Sequence, residues 1–307
     1  MNVVLLHNST AGDEDHTEEK LVRLLKRHGY KASYRPVEEG LKDRALIKKS
    51  DFVVAAGGDG TVRKAVTHLA GLAQPLAILP LGTANNIARS LGIGTDLNKV
   101  IRCWKNAETR PIDLGIAKGP WGRTRFIEGI GLGLISRTIS ILDRFDKHVR
   151  HEFPSAEDKL NRDVCVLAAL THEMPPVKAR LSLSGERIKD EFLLLEILNI
   201  SRAGPGLMLA READPGDGWL NIVSVLADER EKLVEQLERH VSGRKGARLN
   251  EVATKRLKLV VDPCELRIDD KIAMTPADFK DLPDQRAEIQ VRIEPGAVKI
   301  LCSRKKS

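Results

Sequence analysis

The sequence predicts two folding units of different class: an α/β domain with a parallel sheet and flanking helices over residues 1–120, and a β-rich, sandwich-like domain over residues 121–307. Three observations carry this expectation. Apolar runs of strand length alternate with helical patterns through the first 120 residues, as strand–helix–strand units require. Glycine-opened turns follow two of those runs. Beyond Trp121 the pattern changes to period-two alternation broken by Gly, Pro and Asp clusters, with few helices between. A chain of 307 residues also exceeds one comfortable hydrophobic core, and two domains imply a cleft.

In chain order, residues 3–7 read as a first strand, with Asn8 directly after it. Leu21, Leu24, Leu25 and His28 recur at helical spacing, and Gly29 stands where a helix end favours positive φ. A second helix is expected over residues 41–49. Residues 51–56 (DFVVAA) form a buried strand running into GGDGT, and Val62, Ala65, Val66 and Leu69 define one face of a helix over residues 62–72. The same unit repeats at once, with a strand at 76–79, a turn at 80–83 and a helix at 85–91 that stops at Gly92. Both turns are therefore expected on one edge of one sheet. In the second half, strands are expected at 125–129, 178–183, 191–199, 220–226, 256–261, 265–268, 288–293 and 298–301, and helices at 155–172 and 229–241. The last strands follow Pro283 closely, which leaves the C-terminus free to return to the first domain.

The net charge of +7 and pI near 9.2 suit nucleic acid, anionic lipid surfaces and phosphate-rich ligands alike. Aromatic residues make up 4% of the chain and no basic run is interleaved with them, so nucleic acid is not an expected partner. Residues 303–307 (SRKKS) read as a solvated tail. The longest apolar stretch, 192–200, contains Glu196 and is far shorter than the roughly 20 apolar residues that a helix needs to span a bilayer. The N-terminus lacks a basic n-region and a long apolar segment, so it reads as a strand rather than a signal peptide, and the expected address is the cytoplasm. Cys103, Cys165, Cys264 and Cys302 stand far apart without a CxxC pair, which argues for packing roles rather than zinc or disulfides. The sequence leaves the oligomeric state open.

The strongest chemical signal is GGDGT at 57–61, comprising Gly57, Gly58, Asp59, Gly60 and Thr61. Glycines at a strand end let backbone N–H groups approach an anion, and the following helix N-terminus attracts negative charge. A tight turn would explain the glycines but not Asp59, whose carboxylate suits a metal or the orientation of a bound group. In the second turn, Gly82, Thr83, Asn85 and Asn86 offer a hydroxyl and amides that can bond phosphate or base edges without adding negative charge. Helix capping is the alternative for Thr83 and Asn85. Asn8 joins this nucleotide-binding set. Residues 134–150 set Ile135, Ile139, Leu142 and Val149 beside Arg137, Arg144, Lys147 and Arg150, a pattern open to a lipid-facing helix or an ordinary solvated one.

GGDGT followed about twenty residues later by PLGTANNIAR (80–89) resembles the paired catalytic-domain motifs of diacylglycerol, sphingosine and ceramide kinases. In that family the second motif carries an acidic residue where Asn86 stands. The segments IDLG (112–115) and EGIGLG (128–133) resemble the family's acidic strand residue and its glycine-rich entry to the second domain, with Glu128 where Asn is usual. The segments NIS (199–201), GPGLMLA (204–210) and DPGDGWLN (214–221) resemble its second-domain signature. The resemblance implies an NAD-kinase-like first domain, ATP bound with Mg²⁺, and phosphorylation of a lipid hydroxyl in the interdomain cleft. It implies that Asp59 and Asp113 serve the magnesium through water, and that Asp269 acts as general base. It also implies a structural divalent ion at Asp217 with backbone oxygens of Asp214 and Trp219, although a plain Asp-Gly turn explains the same residues. The expected partner is a lipid substrate at the membrane surface, with the chain peripheral to the inner face. Asp270 and Lys271 replace the family's Gly and Glu after the base, which keeps a catalytically impaired nucleotide-binding regulator as the alternative. NAD kinases and phosphofructokinases also carry GGDG turns, but the later PTGSTAY segment of NAD kinases is absent.

Overall fold

The computed structural model describes every residue except 12–15, 149–152, 154, 184, 245, 247 and 303–307. The chain divides into one unit of Met1–Asp113 with Pro295–Ser307 and another of Leu114–Glu294.

The first unit runs β1 (Asn2–His7), α1 (Glu18–Arg27), β2 (Lys31–Pro36), α2 (Val37–Lys42), α3 (Arg44–Lys49), β3 (Phe52–Gly57), α4 (Asp59–Leu69), β4 (Leu76–Pro80), α5 (Asn86–Ser90) and α6 (Leu97–Cys103). The strands are parallel in the order β4–β3–β1–β2, with Val3 opposite Phe52, Gly57 opposite Pro80 and His7 opposite Pro36. β3 and β4 are buried along their whole length, which is why they read as continuous apolar runs rather than alternating ones. Tyr30, Phe52 and Trp104 meet edge to face with centroids 5.6–5.8 Å apart in the core. α1 ends as its sequence requires, with Gly29 at φ +88° after the helix. The helix expected over 41–49 is instead two short helices. Asp43 leaves the helical conformation, and its carboxylate accepts the Leu46 N–H at 2.9 Å to start the second. β2 has no buried residue, so its sequence, KASYRP, carries no apolar period to read.

β5 (Glu108–Gly119) carries the chain into the second unit, where β6 (Gly122–Phe126), β7 (Gly129–Gly133), α7 (Leu134–His148), α8 (Ala156–Glu173), β8 (Val177–Leu183), β9 (Glu186–Leu198), β10 (Arg202–Ala203), β11 (Leu207–Met208), β12 (Leu220–Leu226), α9 (Arg230–Val241), β13 (Asn250–Thr254), β14 (Arg256–Val261), β15 (Leu266–Ile268), β16 (Lys271–Met274) and β17 (Ala287–Cys302) follow. Pairing here is antiparallel, in the order β16–β15–β7–β9–β8–β14–β17, with β12 and β13 added on β9. β17 begins in this unit against β14 and ends in the first, where Ile300 pairs in parallel with Leu76 of β4. The strand expected at 125–129 is in fact the end of β6, two linking residues and the start of β7, because its five residues straddle two strands. The apolar face of α7 is taken up by packing: Ile135 and Leu142 are buried and Ile139 packs on the same core. Val149, Arg150 and the expected tail at 303–307 lie outside the described residues.

Candidate functional site

β1, β3 and β4 run side by side in one direction, so Asn8, Gly58 and Gly82 follow neighbouring strand ends. The chain goes from β1 outward to β2, then returns to build β3 and β4 on the other side. Ligands of open α/β sheets bind at such reversals, at the carboxyl ends of the strands.

The two glycine corners touch backbone to backbone. A Cβ on Gly82 would lie 2.4 Å from Gly58 Cα, and one on Gly58 would lie 3.2 Å from Gly82 Cα. Neither glycine has positive φ, so the requirement is space. Leu81 N–H donates to the Gly57 carbonyl at 3.0 Å. Asn85, buried and left-handed at φ +47°, clamps the second turn: its Oδ1 accepts the Gly82 N–H at 3.1 Å and its Nδ2 donates to the Gly82 carbonyl. Asp59 ties one motif to the other, accepting the N–H groups of Asn86 and Ile87, each at 2.9 Å. These are orphan donors at the start of α5, which the Asp59 carboxylate satisfies. The Asp59 carboxylate, whose residue type suits a metal or a bound group, thus also builds the corner. With both oxygens accepting N–H, it adds less unbalanced charge to a place where backbone amides face outward.

Gly60 lies in the first turn of α4, whose leading N–H groups have no intrahelical acceptor and favour an anion. Thr61 is buried and its N–H returns to the Gly58 carbonyl at 3.0 Å. Thr83 is half-buried in the second turn, and Asn86 is buried at the start of α5. Asn8 is fixed by its N–H on the Ala56 carbonyl at 3.1 Å and its Oδ1 on the Thr10 hydroxyl at 3.0 Å. Asp113 is buried, and its Oδ1 accepts the Gly296 N–H at 2.7 Å. Phosphates fit the paired corners and the amides of α4. A magnesium ion arriving with them would find the Asp59 and Asp113 oxygens already accepting N–H groups, which suits contact through water better than direct ligation.

Asp269 belongs to the second unit. It is buried at φ +53° in the turn between β15 and β16, and its Oδ1 accepts the N–H groups of Ile127, Glu128 and Gly129 at 3.2, 2.8 and 3.2 Å. Asn199 holds the same segment from the other side, donating from Nδ2 to the Ile127 carbonyl at 3.0 Å and from N–H to the Glu128 carbonyl at 2.9 Å. Two separate segments, around Asn199 and Asp269, therefore converge on residues 127–129. Asp270 has no positive φ, so the turn forms without the glycine usual there, and Lys271 is exposed.

A pair missed in the sequence supports this turn. Arg267 and Glu196 are fully buried, with Nη2 2.5 Å from Oε2, and Arg267 Nη1 donates to the Asp269 carbonyl at 2.6 Å. Gly131 lies in register between them on β7, and a Cβ there would meet Glu196 Oε2 at 2.1 Å. Burial pushes the Glu196 carboxyl up while Arg267 opposes it. The signal was Glu196 within the apolar run 192–200, read there only as a bar to spanning a bilayer. Burial also pushes the Cys264 thiol up to about 12, with Glu265 and Asp262 adding to it, which fits a packing role.

Asp214, Asp217 and Trp219 form a self-closing turn. Asp217 Oδ1 accepts the Trp219 N–H at 2.9 Å, and the Asp214 carbonyl accepts the Asp217 N–H at 3.2 Å. A divalent ion would share both oxygens with those donors. Among the described residues, no group of three or more His, Cys, Asp or Glu side chains is gathered as a metal site.

Residues 2–117 match the diacylglycerol kinase catalytic domain, and residues 146–302 match the YegS C-terminal NAD kinase beta sandwich-like domain. A diacylglycerol kinase of Mycobacterium tuberculosis is 31% identical over 226 residues, covering 72% of this chain and 69% of that protein. A Pseudomonas aeruginosa protein named "Probable lipid kinase YegS-like" is 30% identical over 230 residues, covering 72% of this chain and 70% of the relative. In fold, the chain is similar to the crystal structure of a diacylglycerol kinase from Bacillus anthracis, with a TM-score of 0.66 at 17% identity, covering 98% of this chain and 96% of that one. From its first glycine corner to its final sandwich strand, the chain belongs to the family of diacylglycerol kinases and YegS-like lipid kinases.

Proposed function

We propose that the chain transfers the γ-phosphoryl group of ATP to a hydroxyl group of a lipid. The observation that carries this reading is the meeting of Gly58 and Gly82, with Asp59 bound across both motifs. Two turns 24 positions apart in sequence thereby form one anion-binding corner at the head of α4. The acceptor oxygen bonds to the γ-phosphorus, the bond from that phosphorus to the bridging oxygen of ADP breaks, and the hydroxyl proton passes to Asp269. Bound Mg²⁺ would neutralise charge on the phosphates. Backbone amides of α4 and the glycine corner orient the nucleotide, and positioning supplies most of the rate. The N–H groups of Ile127, Glu128 and Gly129 hold the Asp269 carboxylate in a fixed direction. No described helix is long and apolar enough to cross a membrane, so the reading has the chain meet its acceptor at a bilayer surface.

The test is incubation with γ-labelled ATP, Mg²⁺ and a total lipid extract, followed by product identification. A labelled lipid is expected. Asp269→Asn keeps an acceptor for the three N–H groups and tolerates positive φ, so it should fold yet lose about 10²–10⁴-fold in turnover. Absence of any labelled lipid across glycerolipids and sphingoid lipids would overturn the reading, and full activity in Asp269→Asn would remove that residue from the base role.

A further inference from the structure

The second unit carries a groove of about 1010 Å³ lined by six cations, Lys118, Arg123, Lys255, Arg256, Lys258 and Arg292, and by no acidic residue. Its register is costly. Arg256 of β14 lies directly opposite Arg292 of β17, and Lys118 of β5 directly opposite Arg123 of β6. Like charges placed opposite each other on one face of a sheet repel, and a sheet stabilised for its own sake would alternate them with acids. Only Lys258 among the six has an ion pair with a described carboxylate, Glu288 at 2.7 Å. Glu294 feels Arg123 and Arg292, but Arg125 holds both its oxygens at 2.6 and 3.0 Å.

Ile116 shares the face of β5 that carries Lys118, whereas Leu257 and Val291 alternate with the cations and point to the core on the other face. At the rim of the groove Trp219 is 41% exposed, with Lys255 Nζ 4.6 Å from the ring centroid. An exposed tryptophan beside a cluster of cations suits the boundary between phosphate headgroups and acyl chains. A nucleic acid would instead call for several aromatic platforms along a basic track. We propose that this groove is the surface by which the chain docks on a bilayer rich in anionic phospholipid. The proposal rests on the lipid-kinase reading for its purpose, since an enzyme whose described helices do not cross a membrane must still reach an acceptor held in a bilayer.

The test is sedimentation of the full chain, without nucleotide, with phosphatidylcholine vesicles containing either no phosphatidylglycerol or roughly 30% of it, at low and high salt. Salt-sensitive partition onto the anionic vesicles alone is expected. The double variant Arg256→Gln/Arg292→Gln should weaken it about 25-fold, at roughly fivefold for each cation near an anionic surface. Its melting temperature should be unchanged or raised, because a repulsive cross-strand pair is removed, so lost docking is not confused with lost folding. Its turnover on detergent-dispersed acceptor should match that of the unaltered chain. Equal partition of variant and unaltered chain, or no partition of either, would overturn the proposal. So would loss of single-stranded RNA binding in the variant while vesicle binding persists. If no lipid is ever phosphorylated but the variant still loses partition, the docking surface stands and the lipid-kinase reading falls.

Discussion

Gly82→Ala should separate the two motif corners. The added methyl would lie 2.4 Å from Gly58 Cα, whereas carbon atoms in ordinary contact stay about 3.5–4.0 Å apart, so the strand ends must part by roughly 1 Å. Both atoms belong to backbone or its first substituent, and no flexible side chain can yield instead. Overpacking of this kind costs about 1–3 kcal/mol, and the melting temperature should fall by about 2–4 °C for each kcal/mol. A shift of about 1 Å in a phosphate-holding corner should reduce kcat/KM for ATP about 100-fold. Gly58→Ala makes the milder contact, at 3.2 Å, which the corner absorbs by a few tenths of an ångström, so its effect on both measures should be smaller. Calorimetry and steady-state kinetics with varied ATP check this order. Unchanged stability and kcat/KM in Gly82→Ala, or a larger effect from Gly58→Ala, would mean that the two corners do not meet as tightly as described.

Asp59→Ala leaves the Asn86 and Ile87 N–H groups without their acceptor and should lower unfolding free energy by about 1–3 kcal/mol per group in denaturant titration, while Asp59→Asn should retain part of it. Glu196→Gln strands the Arg267 charge in the core and should cost about 3–5 kcal/mol, whereas Glu196→Leu/Arg267→Met should cost less than the single change; a double-mutant cycle reads the difference. His7 and His68 are both held below the ordinary imidazole value of 6.5, chiefly by burial, with His16 adding to the first and Arg44 to the second. The unfolded chain therefore binds more protons just below that value. Their contribution to stability is complete above about pH 6.5 and declines as pH falls toward the folded values. Melting temperatures recorded between about pH 7.5 and pH 5.5 should drop, and His7→Gln/His68→Gln should flatten the decline. An equally steep profile in that variant would contradict the assignment.

The parallel strands were legible because β3 and β4 are buried on both faces and leave uninterrupted apolar runs bounded by glycine turns. β2 was not, since an edge strand without buried residues carries no period, and β16 was hidden because Asp269 and Asp270 read as a loop after a strand rather than as a hairpin turn. The two glycine motifs could be found by their spacing, but their direct contact could not. It depends on β3 and β4 being neighbours in register, a long-range fact that no local window contains. The same holds for Asp59, whose bonds reach 27 and 28 residues along the chain, and for Arg267 and Glu196, 71 residues apart and joined across Gly131. Residue type pointed to chemistry at each position, while the partners came only with the fold.

On the proposed function, the two glycine corners of the first unit jointly hold the phosphates of a nucleotide. Amide spectra of the protein labelled with heavy nitrogen in glycine, recorded while Mg·ATP is added, report on each corner separately. The signals of Gly58, Gly60 and Gly82 should move together and saturate along one binding curve, with Gly243 unmoved. Saturable shifts confined to other glycines, or motion of Gly58 without Gly82, would contradict it.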